Sequence, residues 1–543
     1  MTKNHWPVVA LLVATCLSRI PFRAHVPYGL DSIQFVLGLR HYDVRLHQPQ
    51  PPGYFLFVMM GRVVNKLIQD PNLSFIALNI LFSGLAVWLV FLLGKEIFGA
   101  RSGLSSALLL ATSPIFWFHG EVALSNLADC FFVCLLALCC WRNLEGNYRF
   151  MNFSAVVLGL AGGVRQNTIL FLLPLWIVSV RKAGLKRMAL AVAILMVTVC
   201  AWYVPMAHLS GGLKAYQIAV RDHWLNSNWH GFTLGWLPFN LVCVGYFILL
   251  GTGPGMLLLF LGGIFYLEKA HLDSLWRDHR FQLFAAWLIP PVSFFILIYS
   301  HPIQTGHSLI YLPALLILMP AGAQLTCEQI LGLFKSKQGQ FRGKDAVVLR
   351  RGETKSTLRS SRWLPLSIPS QIVPLVLVGC NLFTFLKMNT SVSRLAVAQY
   401  ESKLKEVVTT VKEQFSPETT ILMNYDFMFL GFRDYMFHLP EYHTYQPKLY
   451  TLAGRTLLFA GFRQETRLID RIEIPATTNF FVLNADELLK DPSWIHRLRI
   501  DKFSDENLLM TPSGLTLFRG DVRDLPRFFP QIQFNIHKRR DFK

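Results

Sequence analysis

The feature that most constrains this chain is a long series of apolar segments, most of them without a charge, that recur from Trp6 to Lys387. Helices of a soluble domain are apolar on one face only, whereas these segments are apolar on every face. Hydrophobic residues make up 52% of the chain and charged residues only 16%. We therefore predict an α-helical polytopic membrane protein, with about eleven segments suited to crossing a bilayer.

The apolar segments and the polar loops between them place the crossings. The predicted crossings are 6–20, 74–93, 104–119, 127–141, 152–164, 168–180, 188–206, 237–267, 281–300, 308–325 and 364–387. Basic loops such as 181–187 and 334–362 then fall on one side, which the positive-inside rule makes cytoplasmic. The net charge of +19 is explained in this way. No basic helix with interleaved aromatic residues is present in the sequence, so nucleic acid is not an expected partner.

Residues 54–68 are apolar but do not fit this alternation. They include Arg62 and Lys66, and charges are costly in the middle of a membrane. We predict that this segment is a helix at the outer membrane surface, within one large outer loop that spans residues 21–73. Three prolines and a glycine in "LHQPQPPGYF" (46–55) precede it, and X-Pro pairs favour an extended, rigid entry into such a helix.

The same outer loop contains Asp31 ahead of a second short apolar pattern. The residues Ile33, Phe35, Val36 and Leu39 recur at a helical spacing. By spacing alone, Asp31 is most simply the residue that caps this helix. A chemical role for its carboxylate is the alternative.

Several stretches in this order resemble a known group of membrane enzymes. An acidic residue early in the first outer loop (Asp31) is followed by "HQPQPPGY" (47–54), "GLAGGVRQNTILFLLPL" (159–175) and "HPIQTGHSLIYLPALLILMPA" (301–321). The chain is similar to the polytopic glycosyltransferases of the GT-C type, which include protein O-mannosyltransferases and aminoarabinose transferases. Gln166 stands where such proteins often have proline.

The resemblance implies a sugar transfer at the outer membrane surface, from a polyprenyl-phosphate donor to an extracytoplasmic acceptor. It implies that Asp31 and Glu121 are catalytic. The implied donor-phosphate ligands are Arg165, His301, Gln304, His307 and Tyr311, and residues implied to contact the acceptor or support the loop are Asp43, His47 and Asp129. No metal ligand is assigned, and a divalent metal stays open as a cofactor.

The residues themselves also permit plainer interpretations of these positions. An arginine such as Arg165 at a helix end commonly extends its charge towards the interface. Glu121 or Asp129 could simply end a crossing, and the histidines of 301–311 could be ordinary interfacial residues. The nine cysteines lie mostly in apolar segments without metal-ligand spacing, which is typical of small buried side chains.

The last part of the chain, 388–543, differs in composition from 1–387 because charged residues become frequent. A helical stretch around 393–414 precedes short strand-like runs, "TTILMNYDF", "NFFVLNA" and "GLTLFRG". These patterns predict a C-terminal α/β domain, which an odd number of crossings would leave outside the cytoplasm. It could bind the acceptor, cover the membrane site or be purely structural.

These features together favour a multi-pass glycosyltransferase of the inner (plasma) membrane with a cytoplasmic N-terminus. Its expected partners are a polyprenyl-phosphate-linked sugar, an extracytoplasmic acceptor and the lipid bilayer. A transporter or flippase of a lipid-linked glycan is the alternative, although such proteins are often built from internal repeats that this sequence lacks. A non-catalytic membrane scaffold is a further alternative.

Overall fold

The structure is a computed structural model in which a helical bundle precedes a sheet. It describes residues 6–227, 234–269, 275–301, 304–342, 368–423, 435–452, 455–462, 465–469, 471–484, 507–512, 514, 516–529 and 532–536. The helices are α1 (Trp6–Arg19), α2 (Gly29–Arg40), α3 (Phe55–Ile68), α4 (Pro71–Phe98), α5 (Ala100–Thr112), α6 (Pro114–His119), α7 (Asn126–Leu144), α8 (Met151–Val164), α9 (Gln166–Val180), α10 (Leu185–Leu209), α11 (Leu213–Ser227), α12 (Leu237–Thr252), α13 (Gly255–Lys269), α14 (His279–Leu297), α15 (Leu312–Arg342), α16 (Ile368–Lys387), α17 (Arg394–Gln414) and α18 (Leu525–Phe528).

Among the residues that the structure describes, five helical segments are long and apolar enough to cross a membrane. They are α4, α7, α10, α14 and the segment Leu234–Thr252, which ends with α12. Four shorter apolar helical segments accompany them: Trp6–Phe22, Gln166–Val180, Gly255–Tyr266 and Ile372–Lys387. The predicted helical membrane class is therefore confirmed, while the number of crossings and their orientation stay predictions.

Two of the predicted crossings are each divided into two helices. The segment 104–119 is interrupted at Ser113, which precedes a proline and donates its hydroxyl to the Gly251 carbonyl over 2.8 Å. The segment 237–267 breaks at Gly253, which adopts the left-handed φ of 58°. The proline after Ser113 interrupts the first helix, and the positive φ of Gly253 interrupts the second.

The outer loop forms two helices, α2 and α3, joined by a turn that contains the proline-rich stretch. Residues 54–68 are helical as predicted, from Phe55 to Ile68. The expected cap at Asp31 is wrong, because α2 begins at Gly29 with Tyr28 at the N-cap position. Asp31 therefore lies in the first turn of α2, where a carboxylate is favoured by the helix dipole.

A buried arginine and glutamate hold the outer loop to the first helix. Arg19 and Glu121 are 1% and 0% exposed, and the charge of Arg19 counteracts the burial that raises the pKa of Glu121. Arg19 donates to the Ala111 carbonyl over 2.6 Å and lies 4.4 Å from the ring centroid of Trp117. The Glu121 carbonyl accepts a hydrogen bond of 2.8 Å from the Ala24 backbone. The residues before α2 and after α6 are thus fixed together.

The sheet follows α17 in the chain. Its strands are β1 (Thr420–Met423), β2 (His443–Leu452), β3 (Arg455–Phe462), β4 (Glu465–Ile469), β5 (Arg471–Ile474), β6 (Phe480–Asn484), β7 (Leu508–Met510), β8 (Thr516–Asp521) and β9 (Gln533–Ile536). Seven strands form one sheet in the order β4-β3-β2-β1-β6-β8-β7, and β5 pairs with β9. β1 runs parallel to β2 and β6, with Ile421 opposite His443 and Phe481. The predicted α/β character of this region is confirmed.

Helix α17 connects the sheet to the outer loop. The carboxylate of Glu401 accepts the His25 backbone N–H over 2.5 Å and lies 3.3 Å from the His25 imidazole. The rings of Tyr28 and Tyr400 are 4.7 Å apart, and Val26 packs against the core beneath the sheet. The C-terminal region is therefore attached directly to the residues that precede α2.

Labelling with a membrane-impermeant maleimide tests the predicted orientation. Helix α9 starts at the outer loop and rises about 22 Å along its fifteen residues. A single cysteine at the exposed Lys66 should therefore react from outside, and one at the exposed Lys182, which follows α9, only from the cytoplasmic side. The chain without its nine native cysteines is the unlabelled control. Labelling of both positions from the same side would contradict the orientation.

Candidate active site

Arg165 lies at the junction of α8 and α9, beside the outer loop. Its extended backbone, with φ −144° and ψ 114°, separates the two helices. A Cβ atom on Gly163 would lie 2.5 Å from the side chain of Leu56, so the glycine permits α3 to pack closely here. This contact places the ring of Tyr54, just before α3, 5.6 Å from the guanidinium of Arg165.

The side chain of Arg165 is mostly enclosed but weakly bonded. It is 8% exposed, and its Nε lies 3.8 Å from the carboxylate of Asp129, which is 6% exposed. Thr168 donates a 2.6 Å hydrogen bond to that carboxylate. Within the described residues, Arg165 itself donates one side-chain hydrogen bond, to Ser125 over a long 3.4 Å. A guanidinium has five N–H groups, so most of its donors are available.

Asp31 lies close to the same tyrosine. Burial raises the pKa of Tyr54, and the negative charges of Asp31 and Asp129 raise it further. The positive charge of Arg165 lowers it. Asp31 also raises the pKa of Tyr299, after the larger effect of burial. The carboxylate of Asp31 is exposed at the surface of the outer loop. Tyr54 is thus near both Asp31 and Arg165, and Tyr299 extends the cluster to the segment after α14.

The segment from His301 to Tyr311 brings three further predicted residues to this cluster: His301, Gln304 and His307. Burial, together with the positive charge of Arg165, holds the pKa of His307 well below its ordinary value. Partial burial also lowers the pKa of His301. Gln304 accepts a 3.0 Å hydrogen bond from the Tyr299 hydroxyl. The two imidazoles are therefore neutral near pH 7.

Other predicted residues lie away from this cluster. Tyr311 is 1% exposed and packs against Phe295, so it is enclosed in the core instead of facing a ligand. Glu121 is equally enclosed and faces the charge of Arg19.

Asp43 and His47 belong to the turn that precedes the prolines. The carboxylate of Asp43 accepts hydrogen bonds from the Arg45 guanidinium at 2.7 to 3.2 Å. His47 has the left-handed φ of 55°, and its ring centroid is 5.6 Å from that of His223. The geometry of both residues fits support of the loop.

Sequence reasoning missed four residues of this region. Ser125 and Thr168 bond to the charged pair, Tyr54 contacts Arg165, and His119 lies against the backbone at Gly306. The position of Thr168 three residues after Arg165 was the available signal, because a helix N-cap residue and the third residue of its helix lie close together. The other contacts join distant parts of the chain and leave no local pattern.

Within the residues described, no group of three or more His, Cys, Asp or Glu side chains is arranged to hold a metal ion. This part of the chain therefore supplies no metal-ligand set for the site.

Comparison with known proteins identifies a family signature in part of the chain. Residues 50–206 match the family described as dolichyl-phosphate-mannose-protein mannosyltransferase. The match begins in the proline-rich stretch and includes Arg165 and Asp129. No curated protein matches the chain by sequence.

Solved structures resemble most of the chain. ArnT from Cupriavidus metallidurans bound to undecaprenyl phosphate has a TM-score of 0.51 and 13% identity, and the match covers 95% of this chain and 98% of that one. The apo state of the same protein has a TM-score of 0.52 and 13% identity, with 96% and 98% covered. The archaeal oligosaccharyltransferase AglB from Archaeoglobus fulgidus has a lower TM-score of 0.42 at 13% identity, with 78% and 62% covered. The chain therefore has the fold of the GT-C-type polytopic membrane glycosyltransferases, and the resemblance predicted from its sequence is confirmed.

Proposed function

We propose that the protein transfers a sugar from a polyprenyl-phosphate donor to a hydroxyl group of an extracytoplasmic acceptor. The solved ArnT structure with undecaprenyl phosphate supports this class of donor. The outer loop carries the exposed Asp31 beside a membrane bundle, which suits a donor whose lipid tail lies in the bilayer. We further propose that the protein lies in the inner (plasma) membrane with this site on the extracytoplasmic side.

The observation that carries the proposal is the weakly bonded guanidinium of Arg165. An enclosed charge is stable only when it is paired and hydrogen-bonded. Asp129 supplies a partner charge at 3.8 Å, beyond hydrogen-bond distance, and most N–H groups of Arg165 stay available. A phosphate offers several oxygens to such a group and forms bidentate pairs with it. We assign Arg165 to the donor phosphate.

The neutral histidines suit the same ligand. His301 and His307 can each donate one N–H to a phosphate oxygen without adding charge. Their lowered pKa values keep them neutral near pH 7. When the bond between the sugar carbon and the phosphate oxygen breaks, the leaving phosphate gains negative charge. Arg165 would stabilise that charge more strongly in the transition state than in the bound donor.

Asp31 is the proposed base. As the acceptor oxygen forms its bond to the sugar carbon, the hydroxyl proton must leave, and an exposed carboxylate near the phosphate site can accept it. Its position on the first turn of α2 fixes the carboxylate on a regular element. The products are the glycosylated acceptor and the free polyprenyl phosphate, with the proton on Asp31.

The remaining predicted acids have supporting roles in this proposal. Asp129, fixed by Thr168, orients the Arg165 side chain. Glu121 holds the loop after α6 to α1 through Arg19, and Asp43 fixes the turn before the prolines through Arg45. None of the three is assigned to proton transfer.

Substitution of Asp31 by asparagine tests the function in cells. The change keeps the size and removes the base, so sugar transfer should fall by about 10²- to 10⁴-fold. Mass spectrometry of surface lipids, glycans and proteins should first identify a product that disappears without the protein. The wild-type chain should restore this product, and the Asp31→Asn chain should fail to restore it at a comparable rate.

Asp70→Asn is the matched control, because it makes the same change in the same loop. Asp70 is exposed and caps α4 through the Leu73 backbone N–H over 2.9 Å, and asparagine caps helices equally well. This control should retain full transfer. Full transfer by Asp31→Asn would remove the proposed base, and the absence of any glycan difference would contradict the glycosyltransferase itself.

Substitution of Arg165 by lysine tests donor binding separately from transfer. The ammonium keeps the charge but cannot reproduce the forked hydrogen bonds to phosphate. Loss of one charge-assisted hydrogen bond weakens the binding free energy by about 1.5–3 kcal/mol. The affinity for undecaprenyl phosphate should therefore fall by about 10- to 100-fold. Titration of the purified protein in lipid nanodiscs measures this affinity.

Arg40→Lys is the matched control for this experiment. Arg40 lies at the exposed end of α2, where either basic side chain is accommodated. It should bind undecaprenyl phosphate as the wild type does. Equal affinity of Arg165→Lys and wild type would exclude Arg165 as the phosphate ligand.

A further inference from the structure

Two consecutive carbonyl groups in the proline-rich turn accept hydrogen bonds from three different elements. The Pro52 carbonyl accepts from the Gln166 amide over 3.0 Å and from the Tyr216 hydroxyl over 2.9 Å. The Gly53 carbonyl accepts from the Tyr42 hydroxyl over 2.7 Å. The backbone before α3 is therefore held by side chains that come from α9, from α11 and from the residue pair after α2.

Gln166 and Tyr216 also bond to each other, which closes a triangle. The Gln166 amide lies 3.0 Å from the Tyr216 hydroxyl. The Gln166 amide nitrogen donates towards both Pro52 and Tyr216, and the Tyr216 hydroxyl lies 2.9 Å from the Pro52 carbonyl and 3.2 Å from the Gln166 side-chain oxygen. Every donor in this triangle is satisfied, and Tyr216 is 3% exposed. A closed, enclosed set of hydrogen bonds fixes its members in one arrangement.

The triangle holds the residue that connects the two parts of the candidate site. Tyr54 follows the held carbonyls and has the left-handed φ of 45°. Its ring makes an edge contact at 5.2 Å with Phe35, one helical turn after Asp31 on α2. The other neighbour of the ring is Arg165, directly before Gln166 in the chain. Displacement of the turn would thus move Tyr54 relative to both the proposed base and the proposed phosphate ligand.

We propose that Gln166 and Tyr216 are positioning residues that keep the proline-rich turn, and through Tyr54 the Asp31 helix, in register with Arg165. This inference rests on the proposed function. Because Tyr216 lies on α11, the proposal gives this helix an indirect role in the reaction. Neither residue needs to touch the donor or the acceptor.

The Tyr216→Phe variant tests the proposal, since it removes one hydroxyl and keeps the ring. Undecaprenyl phosphate should bind within about threefold of wild type, because the Arg165 side chain is unchanged. The transfer rate at saturating donor should fall by about tenfold or more, since small misplacements of reacting groups slow catalysis strongly. Hydrogen–deuterium exchange at residues 53–58 should become faster, which reports the release of the turn.

Tyr203→Phe is the matched control. The Tyr203 ring makes an edge contact with Tyr216 at 5.6 Å, and its hydroxyl bonds to none of the described residues. It should leave transfer and exchange unchanged. The Gln166→Met variant gives a second test, in which the transfer rate is measured for this variant alone and combined with Tyr216→Phe. Because both residues act on the Pro52 carbonyl, the double variant should lose less than the product of the two single losses.

The outcomes separate this proposal from the function on which it rests. Faster exchange with an unchanged transfer rate in Tyr216→Phe would reduce the triangle to a structural support and overturn the proposal. Independent, multiplicative losses in the double variant would also overturn it. A wild-type protein that neither binds undecaprenyl phosphate nor changes any glycan would instead contradict the proposed function, whatever the variants do.

Discussion

The charge of Arg165 is enclosed where α8, α9 and the turn before α3 meet, and the partners that balance this charge determine the arrangement around it. Burial of a lone ion costs several kcal/mol even after the protein relaxes. Asp129 reduces that cost from 3.8 Å, and Thr168 keeps the carboxylate in place. This ion pair lowers the cost of burying the charge. Its 3.8 Å separation leaves N–H groups of Arg165 for the proposed phosphate. A tighter pair would compete with a phosphate for the same N–H groups.

Further contacts hold the outer loop in place beside Arg165. Arg19 and Glu121 hold the loop after α6, and hydrogen bonds to Pro52 and Gly53 hold the turn before α3. Helix α17 then connects the C-terminal sheet to the same loop. The exposed Asp31 is therefore carried by a surface that is fixed from the membrane side and from the sheet side. Such rigidity would hold the proposed base, Asp31, at a fixed distance from the acceptor hydroxyl and the sugar of the donor.

The sequence predicted the parts of this structure that local patterns determine. Uniformly apolar segments gave the membrane class, and Arg62 with Lys66 marked 54–68 as a helix of the outer loop, whose helical form the structure confirms. The sequence predicted one crossing over 237–267, which the structure divides at Gly253. Strands β1, β6 and β8 were predicted from apolar runs bounded by turn residues, whereas β2, β3, β4, β5, β7 and β9 were not predicted.

The contacts that define the site depend on which distant segments pack together. Asp129 and Arg165 lie on different helices, and no spacing in one sequence indicates their proximity. Glu121 looked as accessible as Asp31, because the partner that encloses it, Arg19, lies at the end of the first apolar segment. The resemblance implied that Tyr311 is a donor-phosphate ligand, but its side chain is 1% exposed and packs against Phe295 from another helix. Asp31 was expected to cap α2, but the helix begins three residues earlier than such a cap requires, because Tyr28 has the extended backbone of the N-cap residue.

The most direct test of the central claim is an experimental structure of the full chain in a lipid nanodisc with undecaprenyl phosphate. The phosphate should lie within about 2.7–2.9 Å of the Arg165 guanidinium nitrogens, the distance of charge-assisted hydrogen bonds. The lipid tail should leave the site between helices of the bundle, with Asp31 facing the same space from the outer loop. A phosphate bound elsewhere, with Arg165 still paired only to Asp129, would contradict the account.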